Sequence, residues 1–265
     1  MPFIRSVLHA LVLLVTLVPY ALVLLAGGAV GAGGQALYRI ARAWLSLTIS
    51  TARTLLGIQV RVTGMEHLPQ GQKGAAVLLV KHQSTFETFL MPALMPHPLA
   101  YVFKKELLRI PFFGWAIGRL DMIHIDRKDG RRAFQKVVAH GKALLEQGTW
   151  VTMFPEGTRV PRGYRGQYKS GGTRLAIQAG VPVIPIAVTS AKCWPRKAFI
   201  KFPGVVDVSI GPMIDSTGRR PDELMLEVEN WIEAEMRRLD PEAYPADGPT
   251  PLAPDLVGAA PASAE

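Results

Sequence analysis

A single cysteine, Cys193, stands in the 265 residues, which excludes an internal disulfide and any zinc site built on several thiolates. No Gly-x-Ser-x-Gly elbow occurs, so a serine hydrolase of that design is excluded as well. Cys193 lies in a Cys-Trp-Pro segment with no histidine base beside it, and a covalent acyl-enzyme is not implied. Charge of either sign is missing from Ser6 to Tyr38. That gap excludes an ordinary solvated N-terminus and directs attention to the bilayer.

Within the gap, Val7 to Ala26 is almost entirely Leu, Val and Ala, a run of the ~20 residues that cross a hydrocarbon core. Pro19 predicts a kink in it. Arg5 followed by an Ala/Gly-rich stretch also fits a cleaved secretory signal, but the run exceeds the usual apolar region of about 7 to 15 residues, so a retained anchor is expected. After it, Arg39, Arg42, Ser46, Ser50 and Arg53 recur at spacings of three and four and draw one polar stripe along a helix. Leu37, Ile40, Trp44, Leu47 and Leu55 fall mainly off that stripe. The pattern fits a helix lying in the membrane interface with Trp44 at headgroup depth, and equally a helix packed on its own domain; its neighbour favours the interface.

The formal charge of +9 raises the question of nucleic acid. The basic residues are spread out, and neither an aromatic-plus-basic RNA signature nor Cys/His finger spacing is present. No nucleic-acid partner is expected; anionic lipid is. The arginine-rich stretch after the apolar run predicts a cytoplasmic (inner) membrane location, with the catalytic domain on the reducing, cytoplasmic side.

Short β-rich runs then alternate with helical stretches. This predicts an α/β fold, a mostly parallel sheet of about seven strands flanked by helices and preceded by the N-terminal membrane-anchoring segment. Strands are expected near residues 58–62, 75–80, 99–103, 122–125, 150–154, 183–188 and 205–210, and the clearest helices over 131–146, 173–178 and 221–239. Pro185, inside an otherwise buried strand, suggests an edge or the wall of a site. From Pro241 the chain is rich in Pro, Ala, Asp and Gly, which predicts a disordered tail. The expected division is an anchor over 1–56, a catalytic domain over 57–240 and a tail over 241–265.

Three polar blocks follow predicted strands, where sites gather in α/β sheets. The first, Lys81-His82-Gln83-Ser84-Thr85-Phe86-Glu87, offers a base: with a helix starting just after His82, Glu87 reaches back to one ring nitrogen and leaves the other to take a hydroxyl proton. Alone, it reads also as a structural ion pair. The second, Lys104 to Trp115, sets cations beside aromatic groups and suits an anionic headgroup near an acyl chain, or a solvated loop. In the third, Phe154-Pro155-Glu156-Gly157-Thr158-Arg159, Gly157 permits close backbone approach and Thr158 and Arg159 are natural phosphate ligands. Glu156 would orient Arg159 or bind an acceptor hydroxyl, and an ordinary surface turn is the alternative.

In order and setting, these blocks together with the strand Val181 to Val188 resemble the glycerolipid acyltransferases, in particular the 1-acylglycerol-3-phosphate O-acyltransferases, over roughly residues 58–210. The resemblance implies transfer of an acyl group to lysophosphatidic acid, with His82 as the catalytic base and Glu87, where the family usually has Asp, as its partner. It implies Lys105 and Arg159 at the acceptor phosphate, with Glu156, Gly157 and Thr158 in the same substrate-binding block and Lys169 as a further basic position. Val160 replaces the serine often found after the arginine. No cofactor or metal is implied; acyl-CoA or an acyl carrier protein thioester would be the co-substrate, because a thiolate is already a good leaving group.

Overall fold

The computed structural model describes residues 1–69, 71, 74–126, 130–246 and 250–254. Helices α1 (Pro2–Ala29) and α2 (Gly34–Thr51) come first; a short π-helical turn, Ala52–Leu56, then leads into strand β1 (Ile58–Thr63). The remaining elements are β2 (Val77–Val80), α3 (Phe86–Leu94), β3 (Leu99–Lys104), α4 (Phe113–Ile117), β4 (Ile123–Ile125), α5 (Gly130–Glu146), β5 (Trp150–Met153), α6 (Gly171–Ala179), β6 (Val183–Val188), β7 (Gly204–Ile210) and α7 (Pro221–Leu239).

The strands form one seven-stranded sheet in the order β1-β7-β6-β2-β5-β3-β4. Every pairing is parallel except β6 with β7. The five strands from β6 to β4 therefore end at one edge of the sheet, and the polar blocks leave from that edge. Both faces are covered, so β2 is buried at all four positions and its sequence is an unbroken apolar run. One face, with Leu78 and Val80, packs on α2 and α3; the other, with Val77 and Leu79, packs on α5, α6 and α7.

Pro185 is not at an edge. Strand β6 lies inside the sheet, with Pro185 opposite Leu79 of β2. The reason it is tolerated is a bulge: Ile186 faces Ile210 of β7, but Val183 faces Ile214, so one extra residue stands on the β7 side. Pro185 sits there, its carbonyl accepting from Gly211 N at 2.8 Å, where the absent N–H breaks no ladder bond.

The N-terminal helices differ from the expectation of an interfacial tryptophan. Trp44 is buried, and its Nε1–H donates to Thr16 Oγ1 of α1 at 3.0 Å. Ser6 Oγ accepts from Lys201 N at 2.9 Å. Helix α1 therefore turns its few polar groups towards α2 and the sheet domain, while Ile4, Leu8, Leu11, Val15 and Leu22 form an exposed apolar stripe. Helix α1 is long and apolar enough to cross a membrane. At its C-terminal end Gly28 rests on the Arg119 side chain, just beyond α4.

The expected disordered tail also needs correction. Residues 241–246 and 250–254 pack on the domain: Tyr244, Thr250 and Ala253 are buried, and residues 251–253 run beside Arg165 through backbone hydrogen bonds of 2.9 Å. Composition hid this because a few well-placed groups, not a continuous apolar face, hold the segment. The rest of the predicted tail, 247–249 and 255–265, lies outside the described residues.

Candidate active site

The chain stays extended just past Val80, where Lys81 N still donates to Ile186 O of β6 at 2.9 Å, and α3 begins at Phe86. The start of α3 is tied in the manner of a capping box, with the glutamate half in place: Glu87 Oε1 accepts from Ser84 N at 2.7 Å, while Ser84 Oγ accepts from Phe86 N at 3.0 Å. Glu87 Oε1 also accepts from Gln83 N at 2.6 Å and lies 3.1 Å from His82 Nδ1. A carboxylate only accepts, so Nδ1 carries the proton and donates it to Glu87. His82 Nε2 makes no hydrogen bond among the described residues, which leaves it able to take a proton. Glu87 is wholly buried and the His82 side chain is 15% exposed, so the ring meets solvent at one side only.

An aromatic floor supports the ring. Phe154, at the end of β5, stacks on His82 with centroids 3.8 Å apart and planes 16° from parallel, and Tyr101 of β3 stacks behind Phe154 at 5.9 Å. Neither aromatic was given a role from sequence; Phe154 directly follows β5, the neighbour of β2, and Tyr101 lies within β3 on the far side of β5.

Of the third block, Glu156 does not touch Arg159. Its side chain is fully buried: Oε1 accepts from Lys81 Nζ at 2.8 Å and Gly166 N at 2.8 Å, and Oε2 accepts from His82 N at 3.0 Å. Both oxygens are used inside the protein, so the expected contact with an acceptor hydroxyl is replaced by a hold on the backbone of His82. Gly157 takes a left-handed φ of 65° that turns the chain outwards after Glu156. Thr158 and Arg159 emerge exposed, and Arg159 Nη1 donates to Thr85 Oγ1 at 2.7 Å, which brings the guanidinium beside the first block.

Lys105 follows β3 at the same edge, two strands from β2, on the order of 10 Å across. Its ammonium is partly exposed and pairs with Asp126, just beyond β4. Lys169 is exposed, and its backbone N–H donates to Pro155 O at 2.9 Å. His82, Arg159 and Lys105 thus share one rim of the sheet, while Glu156 lies beneath it.

Lys81, to which no role was given from sequence, is held deep in the protein. It is entirely buried, and its Nζ donates to Glu156, to Glu233 Oε1 of α7 at 2.6 Å and to Tyr164 O at 3.1 Å. Burial pulls its pKa down, but the two carboxylates outweigh burial and hold it above the ordinary lysine range, so it is charged at neutral pH. No spacing in the chain announces a partner 152 residues away.

Comparison with known proteins shows the family. The family described as Acyltransferase matches residues 59–189. A 1-acyl-sn-glycerol-3-phosphate acyltransferase of Pseudomonas aeruginosa is 39% identical over 221 residues, covering 82% of this chain and 84% of that protein. The human 1-acyl-sn-glycerol-3-phosphate acyltransferase alpha is 33% identical over 181 residues, covering 68% of this chain and 63% of the human one. The crystal structure of the 1-acyl-sn-glycerophosphate acyltransferase PlsC from Thermotoga maritima superposes with a TM-score of 0.73 at 25% identity, covering 91% of this chain and 98% of that one. The chain, with His82 and Glu87 paired beyond the end of a parallel strand and basic groups along the same rim, belongs to the acyltransferase family, among the 1-acyl-sn-glycerol-3-phosphate acyltransferases.

Proposed function

We propose that this acyltransferase moves a fatty acyl group from acyl-CoA or an acyl carrier protein thioester to the sn-2 hydroxyl of 1-acylglycerol 3-phosphate, giving phosphatidic acid. The observation that carries the reading is the ring of His82, tied through Nδ1 to the buried Glu87 with Nε2 left to act. Nε2 takes the hydroxyl proton as the oxygen attacks the thioester carbonyl; the tetrahedral adduct collapses, and the departing thiolate recovers the proton from the imidazolium. Glu87 steadies the positive ring that forms between those steps. Arg159 and Lys105 receive the acceptor phosphate, the former by paired N–H donors and the latter as a point charge that can turn from Asp126. Gly157 and Thr158 shape the turn that presents Arg159. The reaction as drawn needs no metal or bound cofactor, because the thioester supplies the leaving group. The apolar stripe of α1 supports action at a membrane, on the cytoplasmic side where such thioesters are made.

Arg159→Ala should raise the KM for lysophosphatidic acid at least tenfold and leave that for acyl-CoA unchanged, as expected for loss of a charge-assisted contact to one substrate. Equal rises for both substrates would assign Arg159 elsewhere. Undiminished acyl transfer in His82→Ala, or rapid release of free fatty acid without acceptor, would overturn the reading itself.

A further inference from the structure

The alternation of β2 does not stop at Val80. Val80 and His82 point to the α2–α3 side, where the ring stacks on Phe154, and Leu79, Lys81 and Gln83 point to the opposite side, towards α7 and the C-terminal segment. Each neighbour of His82 is caught there by a buried group. Lys81 Nζ reaches Glu233 of α7 as well as Glu156, and Gln83 Nε2 donates to Tyr244 Oη at 2.6 Å. Tyr168 Oη donates to Glu233 Oε1 at 2.8 Å, so that oxygen is fixed from two sides.

A buried cation between two buried carboxylates costs several kcal/mol of desolvation per ion, and apolar residues of the same size would stabilise the fold as well or better. Its arrangement here has a direction, however. Glu156 Oε1 faces Lys81 and the Gly166 N–H, and the opposite oxygen of the same carboxylate accepts the N–H of His82. The carbonyl of His82 accepts from Val160 N at 2.8 Å, so both backbone groups of the base are held by the third block and the residue that follows it. If Glu156 turned, the His82 N–H would lose its partner. Lys81 and Glu233 prevent the turn.

We propose that Lys81, Glu156 and Glu233 form a buried positioning relay that fixes the backbone of His82, making α7 a working part of the active site. The proposal rests on His82 being the base. Glu233→Gln keeps the shape and both hydrogen bonds to the side-chain oxygen but removes its charge, so Lys81 bears on Glu156 alone. It should lower kcat about tenfold and leave both KM values within about twofold, because displacements well under 1 Å at the reacting group act on the chemical step. Lys81→Met should lower kcat about a hundredfold, and adding Glu233→Leu to it should restore at least tenfold, since the pair is coupled. Glu227→Gln, in the exposed Arg219 pair of the same helix, is the control and should change nothing.

A second readout needs no turnover. In the full chain in detergent micelles, the imidazole 15N signals of His82, assigned by their loss in His82→Ala, should form one set in the wild type and broaden or double in Glu233→Gln. Unchanged kcat per folded molecule together with an unchanged imidazole spectrum in Glu233→Gln would overturn the relay, as would strictly additive losses in the Lys81/Glu233 pair. If the wild type fails to acylate lysophosphatidic acid, the assigned reaction has failed, and the imidazole spectrum alone then decides the relay.

Discussion

Replacing Glu87 by Gln removes one charge from the site and sets an amide NH2 where Oε2, buried without a hydrogen-bond partner among the described residues, now stands. In the wild type a single oxygen, Oε1, accepts from Gln83 N, Ser84 N and His82 Nδ1, and a glutamine carbonyl can occupy that place. The capping box of α3 survives in neutral form, so the fold should lose only about 1–2 kcal/mol. What disappears is the attraction between carboxylate and imidazolium in the transition state. At the observed 3.1 Å, and at an effective dielectric constant of about 20, two unit charges attract by about 5 kcal/mol. The imidazolium charge is shared between two nitrogens, and roughly half that value, about 2.5 kcal/mol, falls on the bond to Glu87; this corresponds to about a 70-fold fall in kcat. The KM for lysophosphatidic acid should stay level, because Glu87 touches neither substrate. Steady-state transfer of a radiolabelled acyl group, with thermal unfolding as the check on folded protein, measures both constants. A folded Glu87→Gln enzyme with kcat within threefold of the wild type would refute the pairing, and so would a loss confined to KM.

Burial pushes the Cys193 thiol up, with Lys192 and Arg162 only partly opposing it, so the thiol remains protonated near neutral pH and its reactive thiolate is scarce. N-ethylmaleimide at pH 7 should leave the folded enzyme active, and Cys193→Ala should retain acyl transfer within about twofold; inactivation in either case would implicate the sulfur. Tyr244→Phe strips the partner from the buried Gln83 amide, which should cost about 1–2 kcal/mol and lower Tm by roughly 2–6 °C. An unchanged Tm would mean that the C-terminal segment does not secure the first block.

The sheet was legible because its signals are local and repeated. Apolar runs such as Val77–Val80 and Val183–Val188, separated by helices that end at Gly148 and Gly180, left few alternatives to a covered parallel sheet. The His82–Glu87 pair was legible because one turn and one helix start span it. Glu156 was misread because its role depends on Lys81, Gly166 and the backbone of His82, which only the packed fold assembles. Pro185 suggested an edge or a site wall, and the bulge that accommodates it went unread because a bulge is a relation between two strands and leaves no mark on either one. The C-terminal segment was dismissed on composition, which averages over Tyr244 although that one ring enters the core.

Helix α1 is bonded to α2 through Trp44 and Thr16, to the loop before β7 through Ser6, and rests at Gly28 on the segment that follows the second block. An anchor joined by a loose linker would let the catalytic edge wander over a range of heights above the lipid. At a lipid surface, a helix packed in this way would act as a rigid gauge: the depth at which its apolar stripe settled would also set how far Lys105 and His82 stood from the headgroups. Lengthening the chain between α1 and α2 would then do little to reach, whereas loosening the Trp44–Thr16 contact would blur the height at which the enzyme meets its lipid.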